Sequence, residues 1–237
     1  MTAMPSGLLL VHKPPGVTSH DVVQVVRRKL AIRRIGHTGT LDPIAEGLLI
    51  LLVGRATQFQ RAFQAHEKTY RAILRLGTQT DTADADGTPT RTAPIPVLER
   101  DHVAQVLASF RGPLSQIPPA YSAVKVKGRP AYWWARRQKA VMLAPRVVHL
   151  AEMTLVALTP ETITFRVRCS AGTYVRTLAE SIAERLGTVG HLAHLVRLRI
   201  GDWSLDDAKP LSWFQEASPE RVAGQLKPCE SLQALAP

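Results

Sequence analysis

Cysteine and aromatic residues are scarce in this chain, and each shortage excludes a class of protein. Cys169 and Cys229 are the two cysteines among 237 residues. Two cysteines that far apart form neither a disulfide framework nor the paired spacing of a structural zinc site. Aromatic residues make up 5% of the sequence, so we expect a core built mainly from Leu, Val, Ile and Ala. Such a chain suits a reducing compartment, and we expect it to be cytoplasmic.

Long apolar runs are also lacking. The longest run covers residues 48–53, which is far shorter than the roughly 20 apolar residues of a membrane-spanning helix. Residues 8–11 form another run, too short for the apolar part of a secretory signal. We therefore expect a soluble protein without a membrane partner, and we interpret residues 48–53 as a buried strand.

Acidic residues are outnumbered by basic ones. The chain has 30 Lys+Arg against 19 Asp+Glu, a formal net charge of +11. A surplus of this size indicates a polyanionic partner, and nucleic acid is the commonest one. Composition alone also allows a generally basic soluble protein, so the type of partner has to come from the motifs.

Hydrophobic periodicity predicts a mixed α/β domain on a largely antiparallel sheet. The predicted strands cover residues 7–12, 48–53, 67–76, 147–158 and 161–169, the last two as a hairpin. The predicted helices cover residues 19–30 behind a Thr18 cap, 101–110, 131–139 and 174–186. Residues 77–91 are expected to form a loop and residues 121–127 an extended segment. We expect one catalytic domain over residues 1–200 and a short, weakly organised tail over residues 201–237.

A carboxylate on a glycine-punctuated loop is the sharpest local feature. Asp42 follows Gly36 and Gly39, which permit tight backbone geometry, and Pro43 biases it away from helical conformation. This arrangement holds a carboxylate just before a buried strand, which suits a nucleophile. By spacing alone, however, an ordinary turn is the favoured interpretation, because such loops are common.

The identities of the residues around Asp42, and not only their spacing, resemble the signature of a known family. Residues 36–49 read GHTGTLDPIAEGLL and closely resemble the signature of the TruB family of pseudouridine synthases. Further blocks match that family in the same order: KPPGVTS at 13–19, KTYR at 68–71 with an acidic loop at 77–87, PPAYSAVK at 118–125 and CSAGTYVRT at 169–177. The resemblance covers about residues 7–200.

The resemblance implies a fold and an activity. Bacterial members of the family convert uridine 55 to pseudouridine in the T loop of tRNA, without a cofactor, and can also assist tRNA folding. The resemblance implies a pseudouridine synthase fold and a tRNA T stem-loop as partner. We expect a monomer with no obligate protein partner, although the sequence itself does not reveal the oligomeric state. Many bacterial members carry a C-terminal PUA domain, and the residues after 201 are too few and too irregular for a complete one.

The same resemblance assigns Asp42 as the essential carboxylate, Tyr70 as the active-site tyrosine and Arg176 as the arginine that pairs with the aspartate. From the residues alone, Tyr70 could equally be a half-buried strand residue and Arg176 a phosphate or surface contact. Whether Asp42 attacks C1′, attacks C6 or assists elimination to a glycal stays open. These three residues are the predicted catalytic group.

Five further residues are predicted to contact or support the substrate. His37 matches the histidine that occupies the space left by the flipped base, and Lys13 matches a lysine that supports the active-site loop. Tyr174 could pack under the base and Leu195 could touch the pocket, although a core leucine is the easier interpretation. Asp84 aligns with the acidic-loop aspartate, in a loop that is either solvated or paired with an arginine or with RNA.

A basic and aromatic segment over residues 120–145 is the predicted RNA-gripping insertion. Its cations are Lys125, Lys127, Arg129, Arg136, Arg137 and Lys139, and they surround Tyr132, Trp133 and Trp134. Cations interleaved with aromatic rings suit phosphates and folded RNA. The alternative is a solvated amphipathic helix, and we expect one tryptophan to be buried and the basic face to meet RNA.

The same residues leave other functions open. A guide-RNA-dependent synthase for another RNA and a non-catalytic RNA-binding or tRNA-folding protein are the main alternatives. A glycosidase would need two placed carboxylates, and Glu46, near Asp42, stands at a position that the TruB family does not keep acidic. His191 and His194 lack partners that would complete a metal site, so we interpret them as structural or RNA-facing and expect no metal.

Overall fold

The computed structural model describes residues 5–228. It divides into two compact units, one comprising Met1–Thr69 with Val196–Pro237 and the other Tyr70–Leu195. The strands in chain order are β1 (Gly7–Lys13), β2 (Ile35–His37), β3 (Glu46–Val53), β4 (Lys68–Leu76), β5 (Thr78–Thr80), β6 (Pro89–Thr92), β7 (Gly112–Gln116), β8 (Lys125–Val126), β9 (Arg129–Pro130), β10 (Arg146–Leu158), β11 (Thr162–Cys169), β12 (Gly190–Ile200), β13 (Trp203–Ser204) and β14 (Lys209–Pro210).

Short helices connect and cover these strands. They are α1 (Ser19–Leu30), α2 (Gln60–Ala65), α3 (Arg100–Ala108), α4 (Ala131–Ala135), α5 (Val175–Arg185), α6 (Leu211–Glu216) and α7 (Pro219–Ala223), with 3₁₀ turns at Gly54–Phe59 and Leu205–Asp207. The chain is thus a mixed α/β protein with a mostly antiparallel sheet flanked by helices, as the sequence predicts. Along residues 5–228 no helix has the length and apolar character needed to cross a membrane.

In the first unit the strand order is β14-β1-β3-β12, with β2 pairing β3 and β13 pairing β12. β1 and β3 are antiparallel from Gly7 opposite Val53 to Lys13 opposite Gly47. Alternate residues of β3 enter different core clusters: Leu49, Leu51 and Val53 on one face, and Leu48, Ile50 and Leu52 on the other. A strand buried on both faces needs no polar alternation, which explains the continuous apolar run.

α1 begins where the sequence predicts it. The Thr18 side chain accepts a hydrogen bond from the Asp21 amide, and the Asp21 carboxylate accepts one from the Thr18 amide, so the predicted capping box is present. This reciprocal pair satisfies amides that the first helical turn leaves without partners. Val22, Val23 and Val26 then pack into the core cluster that also contains Leu9 and the first face of β3.

The predicted weakly organised tail is wrong for its described part. β14 pairs with β1, with Val11 opposite Lys209. α6 and α7 place Leu211, Phe214 and Val222 in the same core cluster as α1. These helices have 6 and 5 residues, too few for a helical period to be recognised in the sequence. Cys169 is buried, whereas Cys229 lies outside the described residues.

In the second unit the strand order is β12-β4-β11-β10-β7. The predicted hairpin of β10 and β11 is confirmed, with Leu158 opposite Ile163 and Leu150 opposite Cys169. Its tight turn is closed by the Thr159 amide, which donates to the Thr162 carbonyl at 2.9 Å. The predicted helices at residues 101–110 and 174–186 are confirmed as α3 and α5.

Some local predictions in the second unit are wrong. Residues 77–91 are not simply a loop, because β5 and β6 pair, with Thr78 opposite Thr92. This polar hairpin is held by side-chain bonds such as that from the Thr88 amide to the Asp81 carboxylate at 2.8 Å, which apolar alternation cannot reveal. Of residues 121–127 β8 alone is a strand, and α4 has 5 residues, shorter than predicted.

The packing of α6 predicts that this late segment stabilises the first unit. Phe214 is 1% exposed, and removing a buried phenyl ring usually costs about 3–5 kcal/mol. We therefore expect Phe214→Ala to lower the free energy of unfolding in urea by that order. Gln215→Ala is the matched control, because its side chain is exposed on the same helix. Equal stability of the two variants would show that α6 does not contribute to the core.

Candidate active site

Asp42 lies in the loop between β2 and β3, in the first unit, and its side chain is partly exposed. The residue before it is clamped by Ser19 of α1: the Ser19 hydroxyl donates to the Leu41 carbonyl at 3.2 Å and accepts from the Leu41 amide at 2.9 Å. The Ala45 amide donates to the Asp42 carbonyl at 3.0 Å. The carboxylate therefore sits on a backbone that is held on both sides of it.

Lys13 supports the same loop from the end of β1. Its side chain is 0% exposed, and its ammonium donates to the carbonyls of Pro14 at 2.9 Å, Val17 at 2.8 Å and Pro43 at 3.4 Å. Burial lowers the pKa of Lys13 from 10.5 to about 8, and the nearby negative charge of Asp42 opposes that shift. The contacts match the predicted role of Lys13 in supporting the loop, and that role stays a prediction.

Arg197 is part of this neighbourhood and was missed by the sequence analysis. Its side chain is 1% exposed and donates to the carbonyls of Gly39, Thr40 and Leu48. A possible signal in the sequence was an arginine within the otherwise apolar segment 195–198, since a buried cation is rarely retained without hydrogen-bond partners. The targets of such an arginine, which lie about 150 positions earlier, could not be deduced from spacing.

His37 ends β2 and is partly buried. Its Nδ1 accepts a hydrogen bond from the Gly39 amide at 3.4 Å. Burial lowers the pKa of His37 below its ordinary value, and the positive charge of Arg197 and the neighbouring His20 lower it further. The imidazole is therefore neutral at physiological pH and can stack against a base without carrying charge.

Arg176 lies in the first turn of α5, in the second unit, and is 5% exposed. Its guanidinium donates to the Thr82 carbonyl at 2.9 Å and to the Tyr121 carbonyl at 2.8 Å, and it lies 3.7 Å from the Asp84 carboxylate. Asp84 is also buried and accepts from the Thr82 hydroxyl at 2.5 Å. The solvated alternative for the acidic loop is thus wrong for Asp84, and its pairing with an arginine is confirmed.

The other predicted residues of the second unit lie within strands or at the start of a helix. Tyr70 lies on β4 and is 9% exposed. Tyr174 caps α5, and both its amide and its carbonyl bond to the Gln116 side chain, at 3.1 and 3.3 Å. Leu195 is buried on β12, which fits a core leucine. Their contacts with a substrate stay predictions.

The structure therefore groups the predicted residues within each unit. Lys13, His37 and Asp42 lie together around Arg197 in the first unit. Arg176 and Asp84 pair in the second. The joint action of Asp42 with Tyr70 and Arg176 stays a prediction.

The predicted histidines at the start of β12 do not form a metal site. His191 is buried, and its Nδ1 lies 2.7 Å from the Thr78 carbonyl oxygen, a structural contact. Across residues 5–228 no group of three His, Cys, Asp or Glu side chains is arranged to hold a metal ion.

The insertion presents its cations to solvent. Lys125, Lys127, Arg129, Arg136, Arg137 and Lys139 are all exposed. The Arg137 guanidinium stacks over Trp133 with 3.8 Å to the ring centroid, and Trp133 packs edge-on against Trp134. Both tryptophans are half-buried, so the prediction of one buried tryptophan is wrong. A hairpin of two strands with 2 residues each and a helix of 5 residues are too small to enclose an indole.

Comparison with known proteins identifies the family to which this chain is similar. Residues 27–175 match the family model for the TruB family pseudouridylate synthase, N-terminal domain. The tRNA pseudouridine synthase B of Aromatoleum aromaticum is 43% identical over 95% of this chain and 73% of its own length. The protein of the same name from Opitutus terrae is 41% identical over 94% of this chain and 92% of its own length.

Solved structures agree on the fold. A chain of a Cbf5-Nop10-Gar1 complex superposes with a TM-score of 0.72 at 26% identity, covering 96% of this chain. This chain spans 61% of that protein. The class defined by fold and relatives is pseudouridine synthase, an isomerase that acts on RNA. Within that class, the chain belongs to the TruB family.

The pKa of Lys13 predicts how stability depends on pH. Between its folded value of about 8 and its ordinary value of 10.5, the unfolded chain binds more protons than the folded chain, so the free energy of unfolding rises with pH. The Lys13→Met variant lacks this titration and serves as the reference. At about 1.4 kcal/mol per pKa unit, the free energy of unfolding of the native chain should rise by roughly 3 kcal/mol more than that of Lys13→Met. Denaturant titrations from pH 8 to about 10.5 measure it.

Lys209→Met is the matched control, because Lys209 is an exposed lysine of the same unit. The difference in free energy of unfolding between the native chain and this control should not rise with pH. If the corresponding difference between the native chain and Lys13→Met is flat or falls with pH, the Lys13 ammonium is not destabilised by burial.

Proposed function

We propose that this chain isomerises uridine 55 to pseudouridine in the T loop of tRNA, with Asp42 as the essential carboxylate. The observation that carries the proposal is a partly exposed aspartate on a loop whose backbone is held by Ser19, Lys13 and Arg197. The relatives named above are tRNA pseudouridine synthases B, which supports tRNA as the substrate.

The reaction requires no external reactant. The N1–C1′ bond breaks, the base rotates, the C5–C1′ bond forms, C5 loses its proton and N1 ends with one. A carboxylate can serve this sequence by attacking C1′, by attacking C6 or by assisting elimination to a glycal, and these alternatives stay open. A fixed carboxylate supplies orientation in each case, because the reacting atoms must be held in attack geometry.

Tyr70 and Arg176 complete the proposed catalytic group. The phenol of Tyr70 would stack on the uracil and take part in proton transfer. Arg176 would orient Asp42 and keep it ionised. The contacts of Arg176 with Thr82, Tyr121 and Asp84 support this role, since they fix the guanidinium before a substrate binds.

Access to the target requires base flipping, because the uracil is stacked within the T loop. His37 would occupy the space that the base leaves. Its lowered pKa supports this role, because a neutral ring can enter a base stack without the cost of desolvating a charge. Tyr174 and Leu195 would line the uracil pocket.

The insertion would hold the T stem by its phosphates. The exposed Lys125, Lys127, Arg129, Arg136 and Arg137 provide the cations, and the stacking of Arg137 on Trp133 reduces the freedom that binding would have to remove. The same RNA-binding surface would let the protein assist tRNA folding. We expect the protein to act as a monomer in the cytoplasm.

Replacing Asp42 tests the proposed chemistry. Asp42→Asn keeps the size of the side chain and removes its charge, so we expect product formation on an isolated T stem-loop RNA to fall to background, while the dissociation constant for RNA stays within about threefold. Pseudouridine-specific chemical mapping of the product measures the first quantity, and filter binding measures the second.

Asp202→Asn is the matched control for Asp42→Asn, because Asp202 is an exposed aspartate of the same unit. It should retain full activity. Substantial turnover by Asp42→Asn would remove Asp42 from its role. Absence of turnover by the native chain, with RNA binding retained, would favour a non-catalytic folding function. Activity on whole tRNA without activity on the stem-loop would show that recognition needs parts of the tRNA beyond the T stem-loop.

The salt dependence of RNA binding tests the insertion. Arg137→Gln should weaken binding to the T stem-loop and should lower the slope of log affinity against log salt by about 0.7–0.9, the value for one lost phosphate contact. Arg100→Gln, at an exposed arginine of the same unit, is the control and should leave the slope unchanged. Equal slopes for both variants would contradict a phosphate contact at Arg137.

A further inference from the structure

We propose that Arg197 is the positioning residue that fixes the Asp42 loop for catalysis. The inference rests on the proposed role of Asp42 as the catalytic carboxylate. It concerns a buried residue to which neither the sequence motifs nor the resemblance assigned a role.

Arg197 ties together the two ends of the loop. Its Nη2 donates to the Gly39 carbonyl at 3.0 Å and its Nη1 to the Thr40 carbonyl at 3.5 Å, both before Asp42. Its Nε donates to the Leu48 carbonyl at 2.8 Å, on the strand that follows. One planar side chain thus sets the distance between the start of the loop and the strand where it ends.

The backbone of Arg197 is itself fixed against that strand. In the parallel pairing of β12 with β3, Arg197 lies opposite Gly47. Gly47 has a φ of +111°, and a Cβ at this position would lie 2.6 Å from the backbone nitrogen of Arg197. A larger residue would force the strands apart and would withdraw the guanidinium from the loop. The glycine therefore permits the close approach that lets the side chain reach its carbonyls.

The chemistry of the guanidinium suits this task better than that of an ammonium. Arginine offers five N–H donors in a rigid plane, whereas lysine offers three donors on a single rotating nitrogen. The Arg197 bonds leave in different directions from Nε, Nη1 and Nη2. A lysine would keep the charge but could not satisfy Gly39 and Leu48 in the same geometry.

Ser19 holds the loop from a different element than Arg197. It bonds to both the amide and the carbonyl of Leu41, the residue immediately before Asp42. Ser19 belongs to α1, whereas Arg197 belongs to β12. Two elements therefore hold the residues directly preceding the carboxylate.

Burial separates the expected effect on catalysis from an effect on RNA binding. Arg197 is 1% exposed and Ser19 is 2% exposed, so neither is available for contact with RNA. Their loss should act through the position of Asp42, and a displacement of about 1 Å at a reacting group can reduce the rate about 100-fold. The rate of the chemical step should therefore fall while affinity for RNA is retained.

The decisive experiment measures single-turnover rate and RNA affinity for Arg197→Lys on a T stem-loop substrate. We expect the rate to fall about 10- to 100-fold and the dissociation constant to stay within about threefold. Arg199→Lys is the matched control, because Arg199 lies on the same strand, two residues further on, and bonds to the Asp202 carbonyl. It should react like the native chain. All rates are measured well below each variant's thermal midpoint, so that loss of folded protein does not contribute.

Ser19→Ala is the second variant and changes no charge. It should reduce the rate in the same direction with unchanged affinity, which tests whether the hold on the loop matters. If Arg197→Lys fails to fold, Gly47→Ala decides the question for Arg197, because its Cβ would displace the Arg197 backbone and withdraw the guanidinium from the loop. Native rates for the folded variants would overturn the proposal, as would a loss of affinity equal to the loss of rate.

Asp42→Asn, measured in parallel, distinguishes failure of the proposed function from failure of the positioning role of Arg197. Turnover by Asp42→Asn would refute the proposed function itself. Background turnover by Asp42→Asn together with native rates for Arg197→Lys and Ser19→Ala would refute the positioning role alone.

Discussion

The burial of two cations beneath a loop of backbone carbonyls is the constraint on which the first unit depends. Lys13 and Arg197 are withdrawn from water and donate to carbonyls on both sides of Asp42. Taking a charge out of water is costly, and hydrogen bonds offset that cost only when their geometry is good. The cations therefore hold the loop in one conformation, since any other leaves them poorly bonded. A partly exposed carboxylate gains a rigid mounting from groups that no substrate can touch.

The second unit uses the same principle with a different set of partners. Arg176 is buried, yet it reaches a carbonyl of the acidic hairpin through Thr82, a carbonyl at the root of the insertion through Tyr121, and the carboxylate of Asp84. A guanidinium bonded in this way joins segments that are far apart in sequence. The insertion, whose exposed cations are proposed to meet RNA, is thus anchored at its root by a residue of the proposed catalytic group.

The sequence predicted best where one local rule was sufficient. The Thr18–Asp21 capping box and the hairpin at Thr159 follow from short-range patterns, and both are present. The predicted site residues came from the family resemblance, because the spacing around Asp42 favoured a simple turn. Arg197 escaped prediction because its partners are set by strand pairing. The α6 segment around Phe214 escaped because a six-residue helix shows too little periodicity to be detected.

The double-sided burial of β3 has a consequence for how the chain chooses its fold. Register is normally specified by which face of a strand is apolar, and a slip by one residue would expose the wrong set. In β3 both faces are apolar, so burial alone would tolerate such a slip. Gly47 disfavours the slipped registers. The close approach of the Arg197 backbone leaves no room for a Cβ at this position, and both sequence neighbours of Gly47 carry a side chain. The glycine that brings Arg197 to the loop thereby also favours the alignment in which the guanidinium reaches the carbonyls before Asp42.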